Sequence, residues 1–150
     1  MKKRYWGFLI LVLSISVFIF IFSSNRPIDL SVNAEDVRHI DIFTGSVPAS
    51  AEKKSVTKST DIEEIINLLN EVTIKRKASE NYSQVGGIGM YFEFHLENGE
   101  NAIVHLSSET ISTKDGFFKT NKVPRELDDE DTFWKSLSYE SVNVKQDELP

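Results

Sequence analysis

Residues 90–107 read MYFEFHLENGENAIVHLS, and this stretch decides the fold class of the 150-residue chain. Between Met90 and Leu96 apolar residues alternate with polar ones, which is the period of a half-buried β-strand. Asn98-Gly99 is a strong signal for a two-residue hairpin turn, because both positions of that turn need positive φ. Residues 101–107 return as the partner strand. The stretch therefore predicts an antiparallel hairpin.

The two-residue turn also predicts the register of this hairpin. It pairs His95 with Ala102 and Phe92 with His105, and paired residues share one face of a sheet. His95 and His105 then point to opposite faces and cannot share a zinc ion unless a bulge shifts the register. The third histidine, His39, belongs to an earlier strand, and none of the three is singled out as a ligand or a base.

Residues 60–72 predict the principal helix. Thr60 and Glu63 have the spacing of a capping box, in which each side chain would bond a free backbone amide of the first turn. Apolar residues follow on one helical stripe: Ile62, Ile65, Ile66, Leu69 and Val72.

The rest of the chain after residue 36 predicts further strands and one short helix. β-branched and alternating patterns predict strands at residues 37–44, 53–58, 73–78, 110–113 and 117–120. Asp128 is expected to cap a final helix that carries Phe133, Trp134 and Leu137. The predicted fold class is α+β, an N-terminal transmembrane helix followed by a small antiparallel sheet with one main helix packed on it.

The N-terminal segment predicts a membrane anchor. Residues 5–22 contain no charge, and as a helix they would be about 27 Å long, close to the thickness of a bilayer core. Lys2, Lys3 and Arg4 precede the run and only Arg26 follows it closely. This charge bias predicts a single-pass protein of the cell membrane, with a cytoplasmic N-terminus and an extracytoplasmic C-terminal domain.

The predicted organisation has four parts. Residues 1–26 form the cytoplasmic flank and anchor, 27–36 a tether, 37–138 the extracytoplasmic α+β domain, and 139–150 a flexible tail. A cleaved signal peptide is the alternative, with Val32-Asn33-Ala34 as an acceptable cleavage triplet. We favour the anchor because the apolar run is longer than a signal peptide needs and ends twelve residues before Ala34, the last residue of that triplet.

Composition excludes several classes of function. The chain has no cysteine, which removes disulfides, thiolate metal sites, a cysteine nucleophile and a lipid-bearing cysteine. From Pro27 onward there are 13 basic and 23 acidic residues, a formal net charge of −10. A domain this acidic is repelled by phosphate backbones, so no nucleic-acid partner is expected.

No motif supplies a catalytic, cofactor-binding or metal-ligating residue. Residues 85–89 (VGGIG) are glycine-rich but precede a strand, whereas a phosphate-binding glycine loop opens a helix. Residues 128–131 (DDED) lack the alternation and the glycine of a calcium loop, and they fit the start of a helix instead.

Residues 37–137 resemble a small extracytoplasmic domain of unknown function found in Gram-positive lipoproteins and membrane-anchored proteins. The similar features are residues 60–70 (TDIEEIINLLN), the apolar strand before Glu97-Asn98-Gly99, and residues 115–119 (DGFFK). The resemblance implies an α+β fold and a cell-surface location, and it brings no catalytic residues. The chain departs from it by having a transmembrane segment in place of a lipid-bearing cysteine.

These observations lead to one functional hypothesis with three alternatives. The chain is expected to be a non-enzymatic binding or accessory module, held in the membrane by residues 5–22 and facing an envelope protein partner. The alternatives are an immunity or inhibitor protein against a cationic toxin, a secreted domain released by signal cleavage, and an envelope hydrolase, which would need clustered carboxylates or histidines in a cleft.

Overall fold

The computed structural model describes residues 25–44, 51–77 and 89–145. Its described strands are β1 (Arg26–Pro27), β2 (Val37–Thr44), β3 (Glu52–Val56), β4 (Thr73–Lys77), β5 (Gly89–Leu96), β6 (Asn101–Ser107), β7 (Thr110–Thr113), β8 (Gly116–Lys122) and β9 (Val142–Asn143). They form one sheet in the order β1-β4-β8-β7-β6-β5-β2-β3-β9, and every pairing in it is antiparallel.

Within the described ranges, three helices and one 3-10 turn accompany the sheet. They are α1 (Ser59–Asn70), α2 (Arg125–Asp128), α3 (Glu130–Ser136) and the turn Ala34–Asp36. The α+β class and the antiparallel sheet are as predicted, and the predicted stripe of α1 with Val72 is buried in the core.

The core lies between α1 and one face of the sheet. In the centre of that face, Ile40 and Ile42 of β2 pair with Phe94 and Phe92 of β5, and all four side chains are fully buried. Because side chains alternate along a strand, Asp41 between the two isoleucines points to the opposite face. The apolar packing of β2 and β5 therefore fixes what the other face presents.

The β5–β6 hairpin has a three-residue loop, not the predicted two-residue turn. The Gly99 amide donates to the Leu96 carbonyl at 3.0 Å, and the Leu96 amide donates to the Glu100 carbonyl at 2.9 Å. Gly99 has a φ of 85°, while Asn98 does not have positive φ. This is a type I turn followed by one left-handed residue, the usual form of a three-residue hairpin loop.

The longer loop shifts the hairpin register by one residue. His105 pairs with Tyr91 instead of Phe92, and His95 pairs with Asn101 instead of Ala102. A one-residue shift moves a whole strand face to the other side of the sheet. The prediction that His95 and His105 point to opposite faces is therefore wrong, and both lie on the face opposite α1.

The first turn of α1 is not held by the predicted capping box. Lys58 is the N-cap residue and makes no side-chain capping bond, and the Thr60 hydroxyl bonds its neighbour Asp61 instead. Tyr139 supplies the missing contacts, because its hydroxyl accepts from the Lys58 amide at 3.3 Å and donates to the Asp61 carboxylate at 2.6 Å. Tyr139 lies in the segment predicted to be a flexible tail.

Both ends of the described chain pack on the domain. In the segment predicted to be a tether, Ile28 and Leu30 are each only 5% exposed, and the Ile28 amide donates to the Val72 carbonyl at 2.9 Å. In the predicted tail, β9 pairs with β3. The folded part therefore extends beyond residues 37–138 in both directions.

Both ends of α3 are stabilised by side-chain hydrogen bonds. Asp129 caps this helix through the Thr132 amide, so the capping aspartate is one residue later than the predicted Asp128. The ammonium of the buried Lys54 donates to the carbonyls of Trp134 and Leu137, both at 2.7 Å. A cation at the C-terminal end of a helix satisfies its free carbonyls and complements its dipole.

Two predicted features fall outside the described residues: the transmembrane helix at residues 5–22 and the glycine-rich segment before Gly89. Within the described ranges, no helix has the length and apolar character needed to cross a bilayer.

The burial of the segment after β1 has a measurable consequence. We expect Leu30→Ala to lower the free energy of unfolding by about 2–4 kcal/mol, because it removes a buried side chain and leaves a cavity. Chemical denaturation of the full chain in detergent micelles would measure this through Trp134 fluorescence, in a Trp6→Phe background. The control is Val142→Ala, at a side chain that is 52% exposed. Equal effects of the two substitutions would show that residues 27–36 are not part of the core.

Candidate functional site: a histidine–aspartate cluster

A compact group of polar side chains lies on the sheet face opposite α1, where the inner strands β2 and β5 pair. His39 and Asp41 alternate with core residues along β2, and His95 lies opposite His39 on β5. A register irregularity between Val37 and His39 precedes the group. Because β2 has a neighbouring strand on each side, the backbone that carries these residues is held by two hydrogen-bond ladders.

The two imidazole rings and the carboxylate converge. The rings of His39 and His95 stack with centroids 4.1 Å apart and planes 11° apart. His39 Nε2 lies 4.0 Å from Asp41 Oδ1, and His95 Nε2 lies 3.5 Å from Asp41 Oδ2. One nitrogen or oxygen atom from each of the three residues lies within 4.8 Å of the others. This histidine–aspartate cluster consists of His39, Asp41 and His95.

Asp41 is the centre of the cluster. It is 6% exposed, and its carboxylate accepts hydrogen bonds from the Ser55 hydroxyl at 2.5 Å and from the Lys53 ammonium at 3.0 Å. Burial raises the pKa of this carboxyl, but the bonds from Ser55 and Lys53 outweigh burial and leave its pKa below the usual value. Asp41 is therefore ionised at neutral pH.

The two histidines of the cluster differ in their surroundings. Burial, and then the neighbouring His95, lower the pKa of His39. His39 Nδ1 accepts a long bond of 3.4 Å from Arg38 Nε. His95 Nε2 is buried and has no hydrogen-bond partner among the described residues. A buried polar atom without a partner is uncommon, since it forfeits the bond it would make in water.

Glu93 and Asn101 border the cluster beside His95. A Glu93 carboxylate oxygen lies 3.8 Å from His95 Nε2, and the other accepts from the Asn101 side-chain amide at 2.8 Å. The formal charges around the two histidines balance, because two carboxylates, Asp41 and Glu93, and two cations, Lys53 and Arg38, contact the cluster.

His105 shares the face but not the cluster. Its ring stacks on Tyr91 with centroids 4.2 Å apart, and burial lowers its pKa. A β-carbon on Gly89 would lie 2.8 Å from His105 Nε2 and 2.7 Å from the Leu106 carbonyl oxygen. Only glycine fits at that position, so the glycine at the start of β5 makes room for the histidine.

The geometry favours ion binding over acyl-transfer chemistry. A serine nucleophile needs a base that accepts its proton, but the Ser55 hydroxyl donates to Asp41 and not to an imidazole. Two imidazole nitrogens and one carboxylate oxygen are instead a donor set that zinc and similar divalent ions use.

Sequence reasoning missed the cluster because it compared His95 with His105 and left out His39. His39 lies 56 positions before its partner His95 in the chain. A signal was present, since His39 and Asp41 are two residues apart in a predicted strand and so share a face, as do Glu93 and His95. The pairing of β2 with β5, which joins the two sets, has no local sequence signature.

Comparison of the chain with protein-family profiles, with curated proteins and with solved structures finds no match.

Ser55→Ala tests the environment of Asp41. A carboxyl whose native pKa lies below its unfolded value stabilises the fold above the unfolded pKa, and this contribution is lost as pH falls through the native pKa. Removing the Ser55 bond raises the native pKa of Asp41. We therefore expect Ser55→Ala to destabilise the chain more near neutral pH than in acid, in denaturation curves recorded with chelator present.

The control for that substitution is Ser141→Ala, which removes a serine–carboxylate bond to Glu52 on the exposed surface. Its effect should be small at both pH values, since exposed charge contacts contribute little. A Ser55→Ala effect that is the same at both pH values would contradict the assignment of Ser55 as the group that lowers the pKa of Asp41.

Proposed function

We propose that this chain is a single-pass membrane protein whose extracytoplasmic α+β domain is a non-enzymatic binding module. The observation that carries the proposal is the uncharged apolar run at residues 5–22, with three basic residues before it. A run of this length suits a bilayer core, and the basic residues favour a cytoplasmic N-terminus. The resemblance of residues 37–137 to extracytoplasmic domains supports the same location.

The packing after β1 supports retention of the N-terminal segment. Cleavage after Ala34 would remove β1 together with Ile28 and Leu30, which belong to the core. A domain released in this way would lose a strand and two buried side chains. Each of these side chains contributes on the order of 2–5 kcal/mol to the free energy of unfolding. Signal cleavage at this triplet is therefore costly for the fold.

Retention would hold the domain close to the membrane. Only residues 23–25 separate Phe22 from β1, which begins at Arg26, so the two lie at most about 14 Å apart. The proposed module would present its sheet near the lipid surface and not at the end of a long tether.

The cluster supports binding as the role of the domain. Its polar groups converge on one small volume. The neighbouring Ser55 hydroxyl donates to the Asp41 carboxylate, whereas an enzyme of the serine type would have this hydroxyl activated by a base. A preorganised set of donors without that pair is suited to holding a ligand.

Fractionation tests the membrane arrangement. We expect the full chain with a C-terminal epitope to remain in membranes after alkaline wash, to dissolve in detergent, and to keep its full length. External protease should remove the epitope when the layers outside the cell membrane have been made permeable and the membrane itself is intact.

Two double substitutions test the anchor directly. Leu11→Arg with Leu13→Arg should abolish membrane retention, because a charge in the bilayer core costs about 3 kcal/mol, whereas Leu11→Ile with Leu13→Ile should not. A shortened chain in the soluble fraction would contradict the proposal.

A groove between α1 and α3 favours the immunity role as the second candidate. Its cavity of about 470 Å³ is lined by acidic side chains that include Asp61, Glu64 and Glu126, beside Lys58 and the apolar Leu68 and Phe133. With the net charge of −10 beyond Pro27, this groove is suited to a cationic partner.

Deletion of the gene tests the second candidate. We expect the deletion to increase sensitivity to cationic toxins of neighbouring strains, and the Glu64→Gln/Glu126→Gln chain to restore less protection than the unchanged chain. Glu35→Gln is the control, since Glu35 lies outside this groove. Unchanged sensitivity after deletion would remove the immunity role.

A further inference from the structure

We propose that His39, Asp41 and His95 bind one divalent transition-metal ion of the zinc type on the sheet face opposite α1. The inference rests on the proposed binding function and names the class of ligand that the module takes.

The donor set fits such an ion. Zinc is bound by histidine nitrogen and carboxylate oxygen at about 2.0–2.2 Å, and sites with two histidines and one carboxylate leave a fourth position open. Tetrahedral geometry then places the ligand atoms about 3.3 Å apart. The three atoms already lie within 4.8 Å of each other, so side-chain rotations that bring them about 1.5 Å closer complete the site.

The buried nitrogen of His95 is a second observation that points to a ligand. His95 Nε2 has no hydrogen-bond partner among the described residues and lies between two carboxylates, at 3.5 Å from Asp41 and 3.8 Å from Glu93. A metal ion would satisfy this nitrogen and neutralise the carboxylates at once. Glu93 is the protein group placed to take the fourth position.

Metal binding requires two existing contacts to change. Lys53 holds the Asp41 carboxylate at 3.0 Å, and its ammonium and a divalent ion compete for the same charge. Its side chain is 30% exposed, so the ammonium has access to water when it is displaced. The Arg38 bond to His39 Nδ1 must also break, because a metal at Nε2 requires the ring proton at Nδ1.

This competition separates a metal site from a structural ion-pair network. If the cluster serves only to hold Asp41, Lys53 is its complement, and its removal leaves an unpaired buried charge. If the cluster binds a metal, removal of Lys53 frees the carboxylate and strengthens binding. Lys53→Met keeps the length of the side chain and removes only the charge.

Cobalt titration of the full chain provides the test. Untagged protein in detergent micelles is stripped with chelator and titrated with Co²⁺, whose visible absorption reports tetrahedral nitrogen and oxygen ligands, and Zn²⁺ is added as competitor. We expect saturation at one ion per chain.

Variants of the cluster give the expected changes in affinity. Loss of a residue that contacts only a metal ligand weakens binding about 10–100-fold, and His39→Gln and His95→Gln should each weaken binding by more than this. Lys53→Met should bind about tenfold more tightly, which corresponds to about 1.4 kcal/mol.

Two controls keep the test decisive. His105→Gln alters a half-buried histidine on the same face outside the cluster and should leave cobalt affinity unchanged. Thermal unfolding of the unchanged chain should shift upward with Zn²⁺ and return with chelator, since a ligand of the native state stabilises it. That measurement stands even where a histidine variant fails to fold.

Three results would overturn the inference: no saturable cobalt binding, equal binding by the His39→Gln/His95→Gln chain, or Lys53→Met that binds no more tightly than the unchanged chain. The fractionation experiment and the cobalt titration can contradict their proposals independently of each other. Metal binding by a chain that is not retained in membranes would overturn the anchor alone, and an anchored chain that binds no metal would leave the module to another ligand.

Discussion

The structure depends on one backbone constraint, the left-handed conformation of Gly99. With a φ of 85° at this glycine, the β5–β6 loop has three residues and Leu96 faces Glu100. Side chains alternate along a strand, so this loop length decides which residues of β6 enter the core. Val104 and Leu106 are buried, while Ile103 is 43% exposed. A two-residue turn would exchange these positions, so that Ile103 and His105 would point to the core face and Val104 and Leu106 to the other face.

Sequence reasoning recovered the elements of the fold better than their connections. Strands β2, β6 and β7 have the predicted bounds, and the buried stripe of α1 is the predicted one. These features are local, because alternation and helical spacing act within a few residues. The Asn98-Gly99 pair showed that a hairpin turn was present but did not determine its length, since the same two residues suit both loop types. That one ambiguity placed His105 on the wrong face.

Contacts between distant segments account for the remaining differences. Ile28 and Leu30 alternate with polar residues over a run too short to predict an element, yet both are buried in the core. Tyr139 closes the first turn of α1 from 78 positions away, and Lys54 holds the end of α3 from 80 positions away. A single sequence does not show such partners, because each contact depends on a sheet order that is reached only in the folded chain.

In the candidate site, the buried Asp41 carboxylate stays ionised because polar groups compensate for its lost hydration. Asp41 is surrounded by core residues along β2, and a carboxylate in that position needs compensation for the lost hydration. An ammonium and a hydroxyl supply it here, and both come from β3, the strand beside Asp41. Hydrogen bonds to these groups can be exchanged for a bond to a divalent ion, whereas apolar packing in their place would have removed the charge altogether. The proposed site thus needs no metal to fold, and the central position of β2 gives its ligands a fixed backbone. The affinity of the site for a metal ion would then depend on how much more strongly the Asp41 carboxylate binds that ion than it binds the Lys53 ammonium. For this reason Lys53, which is not a ligand, is the residue that best distinguishes a metal site from a structural ion pair.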